Sequence, residues 1–219
     1  MTLAEPEVAA FRREGFVLPR WSMAPWLVAR LAALVAVRVA ADPDRTDPDG
    51  TGATPVPDDP FAACARDAGL ADLVVPLLES SAWLWRYVVA PRGAASTWWR
   101  SASAACPDCP AGVVCVRVAL DAVDGGNGCL RLLPRAHERL VREIRNARHR
   151  RELALPSDRI DPAITVEAVR QPGGLTLYDI AIFHCEPENR SDRPRAAVIF
   201  YYAAAPAGHS MAVPGATGR

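Results

Sequence analysis

Apolar residues change their spacing once along this chain, and the change divides it in two. Residues 4–14 carry their few apolar side chains at helical intervals and run into Gly15-Phe16-Val17-Leu18, a brief strand. Ser22 offers an N-cap, Pro25 fits a first helical turn, and apolar positions then continue to about residue 40. Residues 41–60 hold Asp, Pro, Gly and Thr with little to bury, which predicts a mobile loop. A second long helix is expected over residues 61–78. From Trp83 onward the segments become short, β-branched or aromatic, and bounded by turn residues. Strands are expected over 83–89, 113–120, 129–133, 164–169, 175–178, 180–183 and 196–202, with an Arg-rich helix over 140–153. Helices followed by such strands predict an α+β chain with a jelly-roll core, one domain over residues 1–219.

Composition narrows the function classes. Half of the 219 residues are hydrophobic, enough for a sizeable core. The 25 basic and 25 acidic side chains cancel, so nothing recommends nucleic acid or an anionic membrane as partner. Every basic residue is Arg, a bias expected of a GC-rich bacterial genome. The apolar run at 23–41 contains Arg30 and Arg38 and reads as a buried helix, not a membrane span. The charged start lacks a signal-peptide core, so a cytoplasmic chain with reduced cysteines is expected.

Three segments carry a family pattern. Phe11-Arg12-Arg13-Glu14-Gly15-Phe16-Val17 resembles an F-x-x-x-G-(F/Y)-(V/I) opening. The stretch from Ala119 through Asp121, Asn127-Gly128 and Pro134 to His137 is similar to a strand-turn-strand A-L-D-D-x-D-x-x-N-G-x-L-x-x-x-P-G-S-H. Pro172-Gly173-Gly174, His184, Asn189, Ser191 and Arg195 follow a P-G-D … H-x(4)-N-x-S-x-x-x-R closing unit. Together they resemble the phytanoyl-CoA dioxygenase family, whose members carry a double-stranded β-helix and use Fe(II) and 2-oxoglutarate. The resemblance implies that His184 stands at the later iron-ligand position. It implies that Arg195 stands where the family grips the far carboxylate of 2-oxoglutarate.

The early ligand pair departs from the pattern. Where the family reads W-H-x-D, this chain reads Trp98-Trp99-Arg100-Ser101, with Trp99 for His and Ser101 for Asp. An indole has no lone pair for a metal and a neutral hydroxyl is a poor Fe(II) ligand. The expectation is therefore a dismantled iron site, with no metal and no cofactor. The four His stand at 137, 149, 184 and 209, and His149 and His209 read as solvated. Cys106, Cys109 and Cys185 form a conceivable zinc set, against the plainer reading of inert thiols.

The remaining polar residues suggest a reused pocket. His184 can transfer protons near neutrality, Arg195 can hold a carboxylate or a developing negative charge, and Tyr178 and Glu186 are candidate second proton-transfer groups. Cys185 is a weaker nucleophile candidate. Trp85, Trp99, Arg100, Ser101, Arg117, Asn189 and Tyr201 are candidate substrate contacts. The leading expectation is an iron-independent enzyme performing cyclisation, isomerisation or elimination on a small molecule of specialised metabolism. Two alternatives stay open: a non-catalytic partner of another pathway enzyme, and an Fe(II)/2-oxoglutarate dioxygenase with relocated ligands. A homodimer is possible under each.

Overall fold

A computed structural model describes residues 2–41, 55, 58–90, 98–101, 110, 112–137, 154–156, 158 and 160–205, with 98–101 and 154–156 described as backbone. Four helices, with β1 between the first two, precede the remaining described strands: α1 Glu5–Glu14, α2 Pro25–Ala41, α3 Pro60–Asp67 and α4 Leu70–Leu78. The strands are β1 Phe16–Val17, β2 Ala82–Ala90, β3 Trp98–Ser101, β4 Val113–Ala119, β5 Arg131–Leu132, β6 Ala154–Pro156, β7 Val166–Glu167, β8 Leu175–Asp179, β9 Phe183–Cys185 and β10 Ala197–Ala204. They form two five-stranded sheets, ordered β1-β8-β4-β10-β2 and β6-β3-β9-β5-β7. The expected helix-then-strand order and jelly-roll core are what the chain adopts.

The continuous hydrophobic run of β4 has a direct cause. All seven of its residues are buried, because its sheet is covered on both sides. Val114, Val116 and Val118 face the helices, in one core with Leu31, Leu73, Leu177 and Phe200. Val113 and Cys115 point the other way, into a second core with Leu132, Tyr178, Ile182 and Tyr201 between the sheets. Alternation along each strand thus separates a helix-facing core from the barrel interior.

Several local expectations are corrected. Ser22 does not cap α2: it forms an isolated bridge with Gly174, and the Ala24 carbonyl accepts from the Leu27 and Val28 amides instead. The helix expected at 61–78 is two helices, parted at Gly69, whose φ of 64° is left-handed. Residues 41 and 59–60 of the expected loop belong to helices, Ala41 ending α2 and Asp59 capping α3 through the Phe61 and Ala62 amides. The rest of that loop's core, 42–54 and 56–57, and the expected helix at 140–153 lie outside the described residues. The expected strand at 180–183 is a turn leading into β9, since Ile182 N–H donates to the Asp179 carbonyl. Among the described residues no helix is long and apolar enough to cross a membrane.

Candidate active site

β9 places His184 between two strands, opposite Leu132 of β5 and opposite position 100 of β3. Opposed residues of an antiparallel pair share a face, and alternate residues of one strand do too. His184 therefore faces the barrel interior with the fully buried Leu132, and its ring lies 5.4 Å from that of Tyr178 on the facing sheet. His184 Nδ1 lies 3.1 Å from the Ile182 carbonyl. A carbonyl only accepts, so in the neutral ring Nδ1 carries the proton and Nε2 the lone pair.

Beneath this imidazole lies a buried set of charges. Arg117, central in β4, forms an ion pair with Glu186, their side chains 8% and 14% exposed. Arg195 is 2% exposed and donates to the Gly128 carbonyl. Burial lowers the pKa of Arg195, while the nearby Glu186 carboxylate favours its charged form. Gly128 has a φ of 78°, and a Cβ there would stand 2.5 Å from the Pro187 carbonyl and 3.1 Å from Arg195 Nη1. Glycine is what lets the turn approach so closely. Asn127, fully buried, pins the same turn by donating to the Ala122 and Pro194 carbonyls.

The structure gathers some of the expected site residues and redirects others. His184, Tyr178, Glu186, Arg117, Arg195, Trp85 and Tyr201 all belong to the barrel interior or its rim. Trp85 meets Tyr201 edge to face at 6.4 Å, and the Arg86 guanidinium lies 5.0 Å from the Trp85 ring and 5.8 Å from that of Tyr201. Arg195 does not start a strand: β10 begins two residues later, and Ala196 N–H donates to Asp121. Burial pushes the Tyr178 hydroxyl well above its ordinary range, so it stays protonated and can only donate or polarise. Glu186 is committed to Arg117, which favours its ionised form and removes it as a general acid. Asn189 is bonded within its own loop: its amide donates to the Arg193 carbonyl while its oxygen accepts from the Ser191 amide and hydroxyl. Cys185 is buried, and desolvation raises its thiol to about 11, which disqualifies it as a nucleophile at neutral pH.

Two contributors escape a reading of the sequence. Arg86 has one available signal, a lone charge within the apolar run 83–89. Asn127 has another, an Asn before a Gly, which reads first as a turn and not as a buried brace.

The β3–β9 register pairs position 100 with His184 and position 101 with Phe183, while the side chains of 98–101 lie outside the described residues. Among the described residues no group of three His, Cys, Asp or Glu could hold a metal ion. His137 packs elsewhere, its Nδ1 buried 2.4 Å from where a Cβ of Gly15 would stand. The described residues do not fit an Fe(II) facial triad. Cys106, Cys109, His149 and His209 lie outside the described residues.

No curated protein sequence matches the chain. Solved structures of similar fold include EctD from S. alaskensis with 2-oxoglutarate and 5-hydroxyectoine, at TM-score 0.62 and 21% identity over 92% of this chain and 76% of that one. EvdO2 from Micromonospora carbonacea var. aurantiaca complexed with 2-oxoglutarate aligns at TM-score 0.63 and 22% identity, over 94% and 93% of the two chains. AviO1 from Streptomyces viridochromogenes Tue57 aligns at TM-score 0.61 and 23% identity, over 94% and 96%. The model of the phytanoyl-CoA dioxygenase (PhyH) family matches residues 11–197, which takes in the strands from β1 through β9 and His184, and the chain belongs to that family.

Proposed function

We propose that this chain is a small-molecule enzyme that uses the barrel interior of the family for proton transfer without iron. The observation that carries the reading is the setting of His184, an imidazole whose Nδ1 is fixed on the Ile182 carbonyl and whose ring meets Tyr178. In this reading Nε2 takes a proton from the substrate and returns it at a second position, the outcome needed for isomerisation, elimination or cyclisation. Tyr178 donates from a hydroxyl that stays protonated, and the Arg117–Glu186 pair fixes the polarity of the floor. The setting is specialised metabolism in a reducing cytoplasm, consistent with the buried Cys64, Cys129 and Cys185, none of them in a disulfide.

A second reading, an Fe(II)/2-oxoglutarate dioxygenase, is favoured by membership of the family and by 2-oxoglutarate complexes among the similar structures. It requires metal ligands from outside the described residues. The two readings separate in one experiment: elemental analysis after anaerobic Fe(II) loading, beside turnover of the host pathway's intermediate by the parent and by His184→Gln. The expected result is no stoichiometric iron, no succinate release, and a loss of about 10²–10⁴ in rate for the variant. One iron per chain with coupled succinate formation overturns the proposal for the dioxygenase. A folded variant running at parent rate overturns it for a non-catalytic pathway partner.

A further inference from the structure

The charges in the barrel are arranged as an anion site that already holds its anion. Arg117 projects from the middle of β4, between Thr176 of β8 and Ile199 of β10. Arg195 enters from the segment before β10 and is fixed at one nitrogen by the Gly128 carbonyl. Glu186 follows β9 and reaches Arg117, while its charge also acts on Arg195. Pro187 and Glu188, the next residues, bring their carbonyls against Gly128 beside Arg195 Nη1. Arg117 thus meets a carboxylate delivered by the chain itself, and the same carboxylate favours the charged form of the buried Arg195. A guanidinium buried this deeply is held by a carboxylate whichever molecule supplies it.

We infer that Glu186 is a built-in carboxylate ligand that fills the anion position formed by Arg117 and Arg195, so that this barrel admits no free carboxylate, 2-oxoglutarate included, at that position. The physical reason is effective concentration. A carboxylate tethered one residue past β9, on a backbone already ordered against Gly128, loses little entropy on docking and outcompetes millimolar free acids. The plainer alternative, an ion pair that merely ties β4 to the segment after β9, makes a different forecast. A structural tie leaves no receptor for small carboxylates once Glu186 is cut back, whereas a filled site leaves a vacated one. The inference concerns the same interior as His184 but stands apart from proton transfer, since its readout is binding and not turnover.

The test compares the parent with Glu186→Ala, adding propionate, glutarate or 2-oxoglutarate at constant ionic strength and following Tm and titration heats. The parent is expected to respond to none of them beyond a sodium chloride control. The variant is expected to melt lower than the parent, to regain Tm with millimolar propionate or glutarate, and to lose that response when Arg117→Met is added. Should the variant be recovered only when expressed or refolded with such an acid, that rescue is the same result. Binding of 2-oxoglutarate by the parent at this position, abolished in the parent background by Arg117→Met, overturns the inference. So does a folded Glu186→Ala chain that takes up none of the three acids.

Discussion

At the residue scale, the interior is defined by which groups are kept neutral and which are kept charged. Cys129 and Cys185 are buried, and desolvation lifts both thiols to about 11. At neutral pH each is therefore almost wholly protonated, and the thiolate is the reacting species. Iodoacetamide at pH 7.5 should leave both unmodified in the native chain and alkylate them promptly in urea, as read by peptide mass spectrometry. Prompt native labelling would mean that the segment after His184 opens readily. Arg117 and Glu186, by contrast, meet as an ion pair, each supplying the other's counter-charge.

At the element scale, the turn between β4 and β5 positions the buried cation. Asp124 accepts from the Gly126 amide and binds Arg193 through both oxygens at 2.7 and 2.9 Å, tying the turn to the 189–195 loop. Arg193 is the main cause that brings the Asp124 pKa down to about 2, with the Gly126 amide next. Its folded pKa lies below the unfolded value of about 3.9. The stabilisation is therefore complete above that unfolded value and lost as pH falls through about 2. The stability of the parent should decline between pH 4 and about 2 more than that of Asp124→Asn, measured as Tm across an acid series. Equal slopes would show that the link is broken by solvent, which is plausible physics for an exposed pair.

At the scale of the whole molecule, the two cores separate stability from chemistry. Leu177 of β8 is fully buried on the helix-facing side, while its neighbour Tyr178 lies in the interior against His184. Leu177→Ala should cost about 2–5 kcal/mol in denaturant unfolding, the transfer of the side chain plus the cavity left behind. Any ligand binding in the barrel should keep its affinity, because the deleted atoms face α1–α4 and not the interior. A change in binding of the same size as the stability loss would show that the two faces of the sheet are coupled.

Much of this architecture follows from local pattern alone. Helical spacing placed α1 and α2 to within a residue or two, and the β-branched run at 113–120 announced β4. His184 and Arg195 were legible because they sit at fixed intervals inside a turn-rich motif. Other features have no local signature. Nothing near Gly69 in the sequence outweighs the apolar periodicity that runs through it, so one helix is expected where the left-handed φ makes two. Ser22 has the chemistry of a cap, but tertiary pairing with Gly174 takes it for a bridge.

The sequence by itself determined which side chains exist: only four His, and no acidic residue at 98–101. Only the tertiary structure decided which of them meet. Arg117 and Glu186 are 69 residues apart, and their pairing depends on the two sheets closing on each other. The pairing of position 100 with His184 depends on a register set by hydrogen bonds between β3 and β9, which no single stretch of sequence fixes. Burial then fixed the charge states, holding Tyr178 protonated and both interior thiols neutral, because desolvation is a property of the packed interior and not of any stretch of sequence.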